Sequence, residues 1–446
     1  MGRFDALRER PFRLLFLGQA VSLLGDGMVG VALAFAVLEL TGSATDLGIV
    51  LAARTVPLVA FLLVGGVWAD RLPRRALMVT CDLIRLAAHG AMAALLIAGD
   101  PGVWAIAALA AIAGAASAFF NPAISGIMPA VVSSERLLQA NALRGLTEAG
   151  GRIAGPALAG VLVVGVGPGW ALAVDAATFG ISAAFLAAIP MPAHVPAQRR
   201  SFVADLREGW DDFRSRTWLW TTVAAATLGN MLFAAYVVLG PLVADRELGG
   251  AGAWALIAAS FGVGSLIGGA VMLRLDPARP MLVATLAVAF FTFPLALLAI
   301  PAPAGLTAVA GLFAGIGLMV ANNLWETTTQ RHVPPERLSR VSSYDWFGSL
   351  AMQPVGMLIW GPIGAAVGVS TALWIAFAIH LSSVFALLAV REVRELPAYP
   401  LGAGQRFELL GAQEREQLAA RPLRPHGRDA ALLEVDPPAG EVVDDL

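Results

Sequence analysis

Lysine is missing from this chain: all 30 of its basic residues are arginine. A phosphate-binding loop uses a lysine to reach nucleotide phosphates, so the chain by itself is not a conventional ATP-driven pump subunit. Schiff-base chemistry on a lysine amine is excluded with it. Cys81 is the single cysteine, which rules out an internal disulfide and cysteine-rich zinc or iron–sulfur centres. The five histidines stand apart at 89, 194, 332, 380 and 426, which argues against a membrane-embedded enzyme with a clustered site. Charge is scarce as well. Ionisable residues make up 14% of the chain, against about 25% in soluble domains. The net charge of −2 suggests neither nucleic acid nor an acidic polymer as a partner.

What fills the chain instead is apolar sequence, 58% of all residues. A helix needs roughly 20 mostly apolar residues to cross the hydrocarbon core, where no water can satisfy its backbone groups. Apolar runs separated by charged or Pro/Gly breaks predict twelve spans. The first six are 13–40, 46–69, 76–98, 103–131, 139–166 and 170–190. The second six are 218–244, 252–273, 281–300, 304–329, 339–366 and 370–390. The expected layout is an N-terminal six-helix lobe at 1–190, a central linker at 191–217, a C-terminal lobe at 218–391 and a mobile tail at 392–446. Residues 1–11 are charged and the first apolar run is too long for a signal-peptide core, so no cleaved signal is expected.

Positive charge stays on the cytoplasmic side of a membrane. With both termini inside, the cytoplasmic segments hold 25 arginines and the opposite side one, Arg246. Arg54, Arg85, Arg144 and Arg152 fall within spans. The arginine, alanine and glycine bias resembles that of a GC-rich bacterial genome, and the expected location is a bacterial cytoplasmic (inner) membrane.

The two halves repeat at an offset near 201. Asn121 aligns with Asn322, the stretch VVSSERL with HVPPERL, and Gly155 and Gly160 with Gly356 and Gly361. Parallel repeats about an axis normal to the membrane are a known transporter architecture, with substrate held near the midplane between the halves.

Two stretches carry mechanical information. In GGVWADRLPRR, Gly65 and Gly66 permit close helix approach. Asp70, Arg71, Arg74 and Arg75 follow at the cytoplasmic surface, placed to cap a helix or to form charge pairs that close that side. In GGRIAGPALAG, Gly151, Gly155 and Ala159 form a small-residue stripe, and Pro156 removes a backbone hydrogen bond. The first stretch resembles the G-x-x-x-D-R-x-x-R-R loop signature of the major facilitator superfamily. The second resembles the Gly-Pro motif of that superfamily's antiporters, departing from it in having Gly160 alone where two adjacent glycines are usual. FLGQAVSLLGDGM, LELTGSATDLGIVLAARTVP and ERLLQANAL extend the likeness through the N-terminal half. The chain looks most like the bacterial drug-efflux, macrolide-exporter and enterobactin-type siderophore-exporter branch. That resemblance implies an all-α, twelve-helix, two-lobed fold and proton-coupled export.

Ionisable groups at membrane depth are costly and are therefore functional candidates. Asp26 lies near the middle of span one between Gly25 and Gly27, suited to coupling a proton or a substrate. Arg54 in span two sits roughly 9 Å from it in depth at about 1.5 Å rise per residue, placed to hold Asp26 ionised or to bind an anionic group. Arg144, Glu148 and Arg152 share one face of span five, and the Glu148-to-Arg152 order is the favourable one for a side-chain pair. Asp82 and Arg85 form an i, i+3 pair. Asp345, at the repeat position of Arg144, is expected in the cytoplasmic gate. Asn230, Asn322 and Asn323 are candidate cavity donors. His89 and His380 read as isolated packing histidines. The expected partners are a small-molecule substrate, protons and membrane lipid, for a monomer without cofactor or metal. The rival readings are a uniporter or symporter of a small polar solute, and a non-transporting sensor or scaffold.

Overall fold

The computed structural model describes residues 5–99, 101–133, 136–190, 214–333, 341, 345 and 348–398, with backbone alone at 62–71, 125, 126, 129, 138 and 142. The linker from 191 to 213 and the tail from 399 lie outside the described residues, as do the side chains of Gly65, Gly66, Asp70 and Arg71.

The described chain is almost wholly helical. Its main helices are α1 Arg10–Thr41, α2 Ala44–Arg71, α3 Arg74–Ala98, α4 Val103–Val131, α5 Leu137–Val166 and α6 Pro168–Ala187. After the linker come α7 Thr217–Val243, α8 Ala251–Met272, α9 Pro280–Val288, α10 Thr292–Ala299, α11 Ala304–His332, α12 Gln353–Val367, α13 Val369–Ala389 and the short α14 Arg391–Glu395. Twelve of the described segments are long and apolar enough to cross a membrane; most of the predicted spans match them to within a few residues, and the second, fourth and eleventh differ by seven to nine residues at one end, where side chains or whole residues lie outside the described ones. The ninth span is broken: a 3-10 turn at Ala289–Phe291 joins α9 to α10. Pro294, just beyond it, has no N–H to give the carbonyl four residues back, which frees Phe290 from the α-helical ladder.

α1 through α6 pack chiefly on one another, α3 on α6, α1 on α5 and α6, and α2 on α4. The later spans do the same, with α8 on α11 and α7 on α12 and α13. Two pairings chiefly join the lobes, α5 with α8 and α2 with α12, with lesser contacts of α1 and α2 on α7 and of α1 on α8. A belt of apolar side chains faces outward around the bundle, among them Trp104, Val161, Val164 and Phe385. In water such a surface would be a liability; against lipid tails it is the solvated surface.

The buried core is divided by depth. In the half of the molecule that bears the turn between α1 and α2, one continuous core takes residues from every span, from Val37 and Leu47 through Leu239 and Trp254 to Trp360 and Leu373. In the opposite half the cores are separate. Phe12, Met78, Ile127 and Leu186 belong to one, and Trp218, Met281 and Val393 to another. The lobes are therefore sealed together at one end.

Glycine makes that seal. A Cβ on Gly48 of α2 would stand 2.2 Å from the Met357 carbonyl oxygen of α12, and one on Gly361 of α12 would stand 2.5 Å from the Thr45 Cα. Across the other pairing, a Cβ on Gly160 of α5 would meet the Ala255 methyl at 2.4 Å, and one on Gly262 the Arg152 carbonyl at 2.6 Å. At the rim, Arg246 donates to the Gly42 carbonyl at 3.1 Å. Gly151 and Gly155 serve the N-terminal lobe itself, facing Leu23 and Gly27 of α1.

At the other end, Glu9 closes the entry to α1. It accepts from the Ser133 hydroxyl at 2.7 Å and from Arg136 at 3.1 Å. The Ser133 hydrogen bond, helped by Arg136, holds its carboxyl below the usual glutamate range. A carboxyl depressed in the folded state adds stability that is present above its unfolded pKa and is lost as pH falls through the folded value. Glu9→Gln should cost about 1 kcal/mol at neutral pH, the typical size of such bonds at a partly exposed site. The difference from wild type should begin to shrink in thermal unfolding below about pH 4, the unfolded glutamate range, and vanish below the lower folded value.

Candidate functional site

The membrane-depth charges of α1, α2, α3 and α6 converge on one cluster, apart from those of α5. Asp26, at the middle of α1, faces Arg54 of α2 at 3.8 Å and Arg85 of α3 at 3.6 Å. The side chains of Asp26 and Arg54 each keep 28% of their exposure, so this edge of the cluster is open. Arg85 is buried. Its guanidinium pairs with Asp82 one turn back and lies between two rings, 4.2 Å from the centre of Phe120 and 4.3 Å from that of Phe179. A weakly hydrated planar cation suits such a slot, where the ring faces supply negative potential in place of water. Behind Phe179, His89 of α3 meets Asp175 of α6, both buried.

Gly25 makes this assembly possible. A Cβ there would stand 2.3 Å from the Thr178 hydroxyl and 2.5 Å from Oδ1 of Asp175. Only a bare α-carbon lets α1 lie against α6 at this depth, and the Asp26 carboxylate follows directly.

The expected contact of Arg54 with Asp26 and the pairing of Asp82 with Arg85 are both present. Two expectations need correction. Glu148 pairs with Arg144 at 2.9 Å rather than with Arg152, whose side chain is exposed while its carbonyl packs on Gly262 of α8. His89 is not an isolated packing histidine, because Asp175 faces it. Asp175 itself escaped the sequence reading; the signal was there, a lone carboxylate in the apolar run LAVDAATF. His380 does pack among apolar neighbours, with its ring 5.4 Å from Phe291.

In the other lobe, Asn230 and Asn323 each donate to the carbonyl four residues back, Ala226 and Met319, and Asn322 is exposed. Asp345 accepts from the Trp325 indole at 2.8 Å and from Ser349 at 3.2 Å. Arg75 donates to the Ile189 carbonyl at 2.8 Å, tying the start of α3 to the end of α6. Arg74 opens α3. Phe233, Tyr236, Trp254, Phe261 and Phe291 form a packed aromatic group beside α7.

A two-lobed bundle of twelve spans, sealed at one end and carrying a half-open charge cluster at mid-depth, defines a multi-pass membrane transporter. The chain belongs to the Major Facilitator Superfamily, whose family model matches residues 15–357. It is similar to macrolide efflux protein A of Streptococcus pyogenes, 24% identical over 86% of this chain and 97% of that one. It is similar also to the enterobactin exporter EntS of Escherichia coli O1:K1, 27% identical over 88% of this chain and 95% of that one. Among solved structures, the nucleoside transporter NupG superposes with a TM-score of 0.67 at 15% identity, over 85% of this chain and 98% of that one. A bacterial homologue of the iron transporter ferroportin, in its inward-facing state, superposes with a TM-score of 0.68 at 16% identity, over 85% and 98%. At such identities the likeness speaks for the fold alone.

Proposed function

We propose that this transporter exports small amphipathic compounds, drug-like or siderophore-like, by proton antiport with alternating access. It acts in the bacterial inner membrane with both termini in the cytoplasm. The observation that carries the reading is Asp26, a carboxylate at mid-membrane with an open edge and an arginine on either side. Such a group can exchange partners when a proton or a ligand arrives. The sequence likeness to a macrolide efflux protein and an enterobactin exporter supports outward transport of compounds of that general kind. Arginine distribution supports the orientation. With that orientation the glycine seal lies on the outer side, and the cluster communicates with the cytoplasm.

In this cycle substrate enters from the cytoplasm between the lobes. A proton taken up from outside biases the lobes back after release. Arg54 and Arg85 pair with Asp26 while the site is empty. Glu148 and Arg152 on α5, with Asn230, Asn322 and Asn323 in the second lobe, supply polar contacts around the substrate. Gly65, Gly66, Asp70, Arg71, Arg74, Arg75 and Asp345 form the cytoplasmic gate.

The test is proton release into weakly buffered solution from purified protein in detergent, on addition of a panel of macrolides, lipophilic cations and catechol siderophores. Wild type should release protons with at least one compound, and Asp26→Asn should lose that release. Ligand binding by thermal shift without any proton release would replace antiport by uniport. A chain lacking residues 400–446 should keep its flux; loss of function there would favour a scaffold.

A further inference from the structure

His89 and Asp175 are the most deeply enclosed ionisable pair of the cluster, at 1% and 0% exposure. Nδ1 of His89 meets Oδ2 of Asp175. Nε2 of the imidazole and Oδ1 of the carboxylate are buried without a hydrogen-bond partner. Neither group is part of the expected coupling set, and neither is needed to pair the arginines.

The charge balance singles them out. Arg54 and Arg85 bring positive charge; Asp26, Asp82 and Asp175 bring negative charge, one more than the arginines offset. With neutral His89 the cluster carries one uncompensated negative charge at mid-membrane. With one added proton it is neutral. An isolated charge in this setting is expensive, so the cluster has a place for a single proton. Of the other carboxylates in the cluster, Asp82 alone keeps a buried oxygen without a hydrogen-bond partner, Oδ2, and its Oδ1 already holds Arg85. Asp26 on α1 lies between two guanidiniums, and Asp82 on α3 is bound to Arg85. Arg54 of α2 and Asp26 act on Asp175 electrostatically. Cys81 is the other ionisable neighbour on α3, α4 carries no ionisable residue, and Asp175 is the only one on α6. On α5, Arg144 and Glu148 satisfy each other and Arg152 is exposed.

We propose that His89 and Asp175 together seat one exchangeable proton, and that this is the proton the transporter trades for its substrate. The second clause rests on the antiport reading; the first does not. The proton is passed from water at the open edge of Asp26, past the close contact of Gly25 with α6, to Asp175 and on to Nδ1 of His89. There it is shared with Oδ2 of Asp175. Discharge reverses the path and returns the proton to water, and no other bond changes. Asp26 is the relay in this scheme, and the buried pair is the store.

The full-length protein, labelled with 15N-histidine in detergent micelles, tests the store directly. Across pH 5 to 9, a resonance missing in His89→Gln should follow a one-proton curve. In Asp175→Asn, about tenfold more acid should be needed to protonate the same imidazole. If His89→Gln fails to fold, a chain with glutamine at His194, His332, His380 and His426 leaves His89 as the one resonance. A His89 signal constant over that range, or a midpoint unmoved in Asp175→Asn, would overturn the site. Proton release on addition of ethidium or a macrolide then tests the coupling role. Release by wild type that is lost in both His89→Gln and Asp175→Asn supports it, and release undiminished in both overturns it. A wild type that titrates at His89 but releases nothing removes antiport and leaves the proton site standing.

Discussion

Arg85→Leu should be the most damaging single change in the N-terminal lobe. It strips Asp82, which has no exposure, of its cation and leaves Asp26 with Arg54 alone. Removing one partner of a buried pair typically costs about 3–5 kcal/mol, because the remaining charge is neither paired nor solvated. The loss of two ring contacts adds to this, as a desolvated cation–π pair is worth about 2 kcal/mol or more. The diagnostic result is the double variant. Arg85→Leu with Asp82→Leu removes both charges, and apolar replacement of a whole buried pair is often close to neutral. The double variant should therefore unfold nearer to wild type than Arg85→Leu does, in fluorescence-monitored thermal unfolding in detergent. A double variant worse than the single would mean that Asp82 has another essential partner. Arg85→Lys should also be poor. An ammonium carries the charge but is compact and strongly hydrated, and it cannot lie flat between Phe120 and Phe179.

The second large effect is expected at the seal. Gly48→Val places side-chain atoms where the Met357 carbonyl already stands, since even a Cβ would lie 2.2 Å from that oxygen. Backbone cannot move aside as a flexible side chain can, so α2 and α12 must separate. The lobes should then part at the sealed end and the carrier should favour the opposite opening. Ala52→Cys on α2, buried at 2% exposure, reports this in a Cys81→Ser background. Its labelling by a membrane-impermeant maleimide should be slow alone and at least tenfold faster with Gly48→Val added. Export should fall in parallel, because a carrier held open on one side cannot complete a cycle. Unchanged labelling with normal export would show that the helices absorb the side chain locally.

The spans were legible in the sequence because hydrocarbon imposes length and apolarity on each helix separately, without regard to its neighbours. The approach of Arg54 to Asp26 was legible for a related reason: depth in a membrane is a single coordinate, and both residues had one. What depth does not supply is azimuth. Glu148 could reach Arg144 or Arg152 equally well along its own helix. The choice was made by α8, which receives the Arg152 backbone at Gly262. His89 and Asp175 lie on α3 and α6, and no local spacing connects them. Only the packing of those two helices did, and that packing depends on the missing side chain of Gly25. The break between α9 and α10 was written in Pro294, but its position one turn earlier follows from the orphaned carbonyl rather than from the proline itself.

The seal has a mechanical consequence. Gly48, Gly361, Gly160 and Gly262 bring backbone against backbone or methyl, and the described rim adds the Arg246–Gly42 tie. Such a closure holds through dispersion forces that lose roughly a quarter to a half of their strength over about 0.5–1 Å of separation. Its described contacts offer little charge for salt to screen. Lateral pressure in the surrounding lipid acts on it directly: a bilayer that squeezes the helices at that depth keeps the gate shut, and a thinned or loosened one lets it part. The lipid thereby becomes a component of the gate.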